Sequence, residues 1–127
     1  MSTDPTPSAS PPAADSGPSQ DDRNLAMIAH ASGMVPFLGL AVTGGLYAMK
    51  KDVSPFVMEH FKEALNFDIS LTPFDLIALL VLIFVGGIGL LLWIPIIGAH
   101  LGLGIMGSMA AAEGKPYRYV VNARLLK

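Results

Sequence analysis

Hydrophobic positions fall along this chain in blocks. Residues 1–22 carry almost none, residues 25–49 and 69–112 carry nearly all of them, and residues 50–67 mix charged and apolar positions at short intervals. The first block, "LAMIAHASGMVPFLGLAVTGGLYAM" from Leu25 to Met49, would extend roughly 37 Å as a helix at about 1.5 Å per residue, enough to cross a hydrocarbon core of about 30 Å with some tilt. A first membrane span is therefore expected over 25–49, kinked at Pro36, with Gly33, Gly39, Gly44 and Gly45 suited to close helix packing.

The second block, Ile69 to Ala112, would be roughly 66 Å long as one helix, about twice the core thickness, and must fold back. The glycines of "VGGIG", Val85 to Gly89, make the expected turn, giving spans near 67–84 and 90–112. Pro95 and Gly98 of "WIPIIG" form a rival break. Gly114 and Pro116 close the third span, and Tyr117 and Tyr119 with Arg118, Arg124 and Lys127 read as an aromatic and basic interfacial anchor.

Between the blocks, "KKDVSPFVMEHFKEALNF" from Lys50 to Phe67 opens with Ser54 as an N-cap and Pro55 at the first helical position. Glu59, Lys62, Glu63 and Asn66 then share one helical face, opposite Val57, Phe61, Ala64 and Leu65. This pattern predicts an amphipathic helix lying along the headgroup boundary between the first and second spans. The fold class expected is an all-α membrane protein: about three transmembrane helices plus that interfacial helix, over 25–127. The preceding residues, 1–24, read as a disordered tail rich in Pro, Ser and Ala, because so polar a composition cannot offset chain entropy by burial.

Composition sharpens this picture. The chain has 127 residues, 52% hydrophobic and 14% charged, too apolar and too charge-poor for an ordinary soluble domain. A net charge of −2 without a basic stripe argues against nucleic acid as a partner. Absence of cysteine excludes disulfides, thiolate metal sites and cysteine nucleophiles. The first apolar run is too long, and its flank too acidic, for a cleaved signal peptide. With three spans, the first loop and the C-terminus share a side carrying seven of the eight Lys and Arg residues, leaving Arg23 opposite. The expected location is the inner (plasma) membrane, multi-pass, with the N-terminus outside and the C-terminus cytoplasmic.

Candidate chemistry is sparse. Asp68, Thr72 and Asp75 form a polar stripe on the second span, and His30 and His100 are the ionisable partners available within the other spans. His30, Asp68, Asp75 and His100 are therefore a candidate intramembrane polar cluster, read either as an ion or proton relay or as hydrogen-bonded packing groups. Glu59, His60, Lys62, Glu63 and Asn66 are a candidate interaction surface. His60 and Glu63 stand three apart but lack the His-Glu-x-x-His pattern of zinc proteases, so no metal is expected. No phosphate loop and no Gly-x-Ser-x-Gly context occurs, so no catalytic residue, no cofactor and no enzyme activity are expected. On the third span, His100, Gly104, Gly107 or Ser108, and Ala111 share a face, and Gly98 with Gly102 forms a small-x-x-x-small pair on another. Both suit close helix contacts within the chain or between copies.

The motifs "AMIAHASG", "KKDVSPFVMEHFKEALNF" and "GKPYRY" together resemble the Tic-twenty-like family, small prokaryotic membrane proteins built on a domain of unknown function. The matching positions are His30 and Gly33, the block from Lys51 through Ser54, Pro55, Glu59, His60, Lys62, Glu63 and Ala64 to Asn66 and Phe67, and then Gly114, Pro116, Tyr117 and Tyr119. Asp68 stands where that pattern has glutamine and Val120 where it often has proline. The resemblance implies a compact helical membrane domain, and a plastid relative in that family looks like part of a preprotein translocation pore. Two functions follow as expectations. One is a non-enzymatic membrane interaction or scaffold protein whose partners are the lipid bilayer and a second copy or another membrane protein. The other is a component of a transport or translocation assembly with Asp75 or His100 facing the path.

Overall fold

A computed structural model of the chain describes residues 17–127. Among them it is all-helical, with four helices in the order α1 (Gln20–Ser32), α2 (Leu38–Met49), α3 (Pro55–Val85) and α4 (Ile88–Ala112). Most of the expected tail, with Pro5, Pro7, Pro11 and Pro12, lies outside the described residues. Its last part, from Gln20 to Asn24, is the first turn of α1. Ser19 caps that turn by accepting from the Asp22 amide at 3.1 Å, and Asp21 and Asp22 place negative charge at the positive end of the helix dipole.

The expected first span is instead two short helices. Pro36 has no amide hydrogen and disfavours helix at the residue before it, and Phe37 takes a left-handed conformation at φ 66°. The chain turns back at Gly33–Phe37, so α1 and α2, at about 20 and 18 Å, each fall well short of a hydrocarbon core of about 30 Å. The return needs glycine: a Cβ on Gly39 would stand 2.5 Å from the Cα of Gly33.

The expected interfacial helix is also different. It forms, with Ser54 accepting from the Val57 amide and Pro55 opening the helix, but it does not stop. It continues into the second span as one helix of 31 residues, roughly 46 Å long. Its apolar face packs on protein: Val57, Phe61 and Ala64 are buried against Ala29 of α1, with Leu46 and Tyr47 of α2 beside them. α3 ends at Val85, Gly86 takes a φ of 76° that suits a residue without Cβ, and α4 returns from Ile88. Both Pro73 and Pro95 sit inside continuous helices, so no break forms at "WIPIIG".

α3 and α4 are long and apolar enough to cross a bilayer. Only 22% and 17% of their most apolar windows are buried inside the protein, and Ile83, Phe84, Leu91 and Ile94 are each more than 60% exposed. Helices at the centre of a soluble protein would bury those positions. Three crossings are not found; the pattern is a long hairpin with a short helical pair wedged against one end. A Cβ on Gly114 after α4 would come within 3.3 Å of the Arg23 guanidinium in the first turn of α1, so the start of α1 and the end of α4 lie together. Lys50 and Lys51, between α2 and α3, are at that end too, since Leu46 and Tyr47 pack beside Val57.

Candidate functional site

The polar residues gather where the short pair meets the hairpin. After α4 the chain runs back as an extended strap, residues 115–127, across the first half of α3. Its backbone is held by side chains rather than by a neighbouring strand. Glu63 Oε1 accepts from the Tyr119 amide at 2.6 Å, Ser70 Oγ accepts from the Ala123 amide at 2.8 Å, and Asn66 both donates to the Leu126 carbonyl and accepts from the Leu126 amide. Glu63, Asn66 and Ser70 stand at i, i+3 and i+7, one stripe of a helix presenting the donors and acceptors of a sheet edge.

Beneath the strap, four groups form a directed chain of hydrogen bonds. A carbonyl can only accept, so the 2.9 Å bond between His60 Nε2 and the Lys115 carbonyl fixes a proton on Nε2. With both rings neutral, His60 Nδ1 accepts from His30 Nε2 at 2.8 Å, and His30 Nδ1 accepts from the Tyr119 hydroxyl at 2.7 Å. Burial, and secondarily the neighbouring His60, pushes the His30 pKa down to about 3, which keeps that ring neutral. Burial also raises the Tyr119 phenol above its ordinary value, with the Asp68 carboxyl as the next cause, so Tyr119 stays a donor. The Tyr119 ring stacks on Phe67 with centroids 4.0 Å apart. Gly107 of α4 makes room, since a Cβ there would stand 2.6 Å from His30 Nδ1.

Deeper along the hairpin, His100 Nδ1 donates to the Gly33 carbonyl at 2.6 Å and Nε2 faces both Asp75 oxygens at 3.2 and 3.3 Å. With Nδ1 already donating, one further proton is shared between Nε2 and the carboxyl, and the pair is neutral overall whichever side holds it. Asp68 lies against Gly33 and Gly39, where a Cβ on either glycine would meet its oxygens, and its Oδ2 is buried without a hydrogen-bond partner. The expected cluster of four thus separates: Asp75 joins His100, Asp68 stands on the α1–α2 turn, and His30 pairs with His60 and Tyr119.

Of the five residues expected to form an interaction surface, His60, Glu63 and Asn66 hold the protein's own elements. Glu59 and Lys62 remain on the outer side, facing a cavity of about 880 Å³ between the start of α3 and the strap. Tyr119, expected as an interfacial anchor, is 2% exposed. No local pattern marked it, because its partners lie 52 to 89 positions away in sequence. Among the described residues no group of three His, Asp or Glu side chains is arranged to hold a metal ion.

These features define an all-helical protein of the membrane type, with a two-helix apolar hairpin and a polar end sealed by histidines, tyrosine and an extended strap. Residues 21–126 match the MamF/MmsF family model, described as the magnetosome magnetite crystal formation protein family, and the chain belongs to that family. The resemblance to Tic-twenty-like proteins is corrected by this match, which spans the same helices and the same motifs. No curated protein and no solved structure matches the chain.

Proposed function

We propose that this chain is a non-enzymatic integral membrane protein that takes part in magnetite crystal formation at the magnetosome membrane, acting through its folded polar end. The observation that carries the reading is the family match over residues 21–126, which takes in every helix and nearly all of the strap. The geometry supports a scaffold: the buried histidines, Tyr119 and Asp75 are bonded to groups of this chain. It lends nothing to transport, since Asp75 and His100 close on each other and on the Gly33 carbonyl.

In this reading α3 and α4 cross the bilayer and the α1–α2 pair enters from the polar end and returns to it. Arg23, Lys50, Lys51, Lys62, Lys115, Arg118, Arg124 and Lys127 all lie at that end and none at the Gly86–Gly87 turn, so the positive-inside rule makes it cytoplasmic, with both ends of the described chain on that side. A backbone free of cysteine suits a direct check. Single cysteines at Ser19 and at Lys127 should be labelled by an impermeant maleimide from the same side of the membrane, and labelling from opposite sides sinks this topology. The role itself is tested by removing the protein from magnetite-forming cells. Altered magnetite crystal dimensions by electron microscopy, restored by the full chain, are expected; crystals unchanged in size, shape and number would refute the role.

A further inference from the structure

The cavity beside His60 carries more charge than the fold needs. Lys62, Arg118, Arg124 and Lys127 line it together with two carboxylates, Glu59 and Glu63. Among the described residues the only ion pairs within 4 Å are His100 with Asp75 and Lys115 with Glu113, so none of those four cations is paired. Glu59 and Glu63 offset two of the four positive charges, which leaves the side chains lining the cavity with an excess of positive charge. An excess of unpaired cations in one concavity favours an anion there. Two of them are arginines, whose fork of donors matches a phosphate.

We propose that this cavity holds the headgroup of an anionic phospholipid, with Arg118 and Arg124 on its phosphate and Lys62 and Lys127 beside them. Three observations select a lipid over a soluble anion. The cavity lies at the polar end of the α3–α4 hairpin, where bilayer headgroups are concentrated around the protein. Its wall is partly apolar, with Phe56 and Leu126 offering a surface for the glycerol and the first methylenes. At about 880 Å³ it falls within the range of sites that enclose small organic molecules, roughly 300–1,000 Å³, and exceeds what a bare phosphate needs. The strap is the lid of this site: the side chains that bind its backbone, Glu63 and Asn66, also fix where Arg118, Arg124 and Lys127 stand. The inference needs the placement in a bilayer and not the role in crystal formation.

The test is lipid retention by the full chain. Protein reconstituted in nanodiscs of mixed phosphatidylcholine and phosphatidylglycerol is released into the gas phase, and retained lipids are counted by native mass spectrometry. One phosphatidylglycerol should be kept in preference to phosphatidylcholine, and R118Q/R124Q should weaken that preference by about thirty-fold, the equivalent of about 1 kcal/mol for each charge removed. R118K/R124K, which keeps the charge and any packing by the side-chain stems, should retain most of it. Equal retention of the two lipids, or preference unchanged in R118Q/R124Q, overturns the proposal. Inorganic phosphate displacing phosphatidylglycerol at equal concentration would assign the site to a free anion and equally overturn it. Failure of the chain to enter nanodiscs would instead count against the membrane placement, so the two ideas fail separately.

Discussion

Replacing Tyr119 by Phe removes one hydroxyl and nothing else, and the directed hydrogen-bond chain says what that costs. Phe keeps the stack on Phe67, at 4.0 Å and nearly parallel, and keeps the contact with Leu71. What disappears is the donor to His30 Nδ1, and a buried acceptor is left without a partner. His30 cannot recover by exchanging its tautomer, because its Nε2 proton is committed to His60 Nδ1, and His60 is committed in turn to the Lys115 carbonyl. Leaving such a group unpaired costs about 1–3 kcal/mol. Tyr119→Ala should cost several kcal/mol more, since it also deletes a buried aromatic ring. Thermal unfolding of the detergent-solubilised protein, followed by size-exclusion chromatography of heated samples, gives the stability order wild type, Tyr119→Phe, Tyr119→Ala. Nitrogen-15 NMR of the imidazoles gives the mechanism: His30 and His60 should both be neutral with the proton on Nε2. A Tyr119→Phe protein as stable as wild type, or a His60 proton on Nδ1, would refute this account.

Three further outcomes follow from the same geometry. Because the His30 pKa is lowered in the fold to about 3 from 6.5, the unfolded chain binds the extra proton first. The contribution is therefore complete above pH 6.5 and is lost as pH falls below it, by about 1.4 kcal/mol per pH unit and about 2 kcal/mol at pH 5; it is read as the difference from His30→Asn, and a change in melting temperature between pH 7 and pH 5 that is the same in that variant as in wild type would contradict it. Gly107→Ala should destabilise, since its Cβ would stand 2.6 Å from His30 Nδ1, whereas Gly98→Ala meets nothing within 4 Å and should stabilise α4 by up to about 1 kcal/mol, so the two melting shifts must have opposite signs. Asp75→Asn can still donate to His100 Nε2 and should change the melting temperature little, while Asp75→Leu strands that nitrogen and should cost about 1–3 kcal/mol; equal effects of the two would show that the bond does not matter.

By itself the sequence determined what depends on neighbours along the chain. Ser54 and Pro55 start α3, the glycines at 86 and 87 turn the hairpin, and the uninterrupted apolar runs make α3 and α4 long enough to cross a bilayer, because caps, glycine turns and hydropathy are local properties. Ser19 with Asp21 and Asp22 was a local signal of the same kind, hidden by the polar composition around it. Three features were left to the tertiary structure. Pro36 can kink a helix or end it, and here it ends one, because the return lets Gly33 and Gly39 close on Asp68 and lets Gly33 present its carbonyl to His100. On the polar face of α3 the strap takes up Glu63 and Asn66 and leaves Glu59 and Lys62 facing a cavity, a division that no local pattern shows. Finally, His30, His60 and Tyr119 come from α1, α3 and the strap. No periodicity could join them, since the hydrogen bonds that fix their tautomers exist only once all three elements have packed.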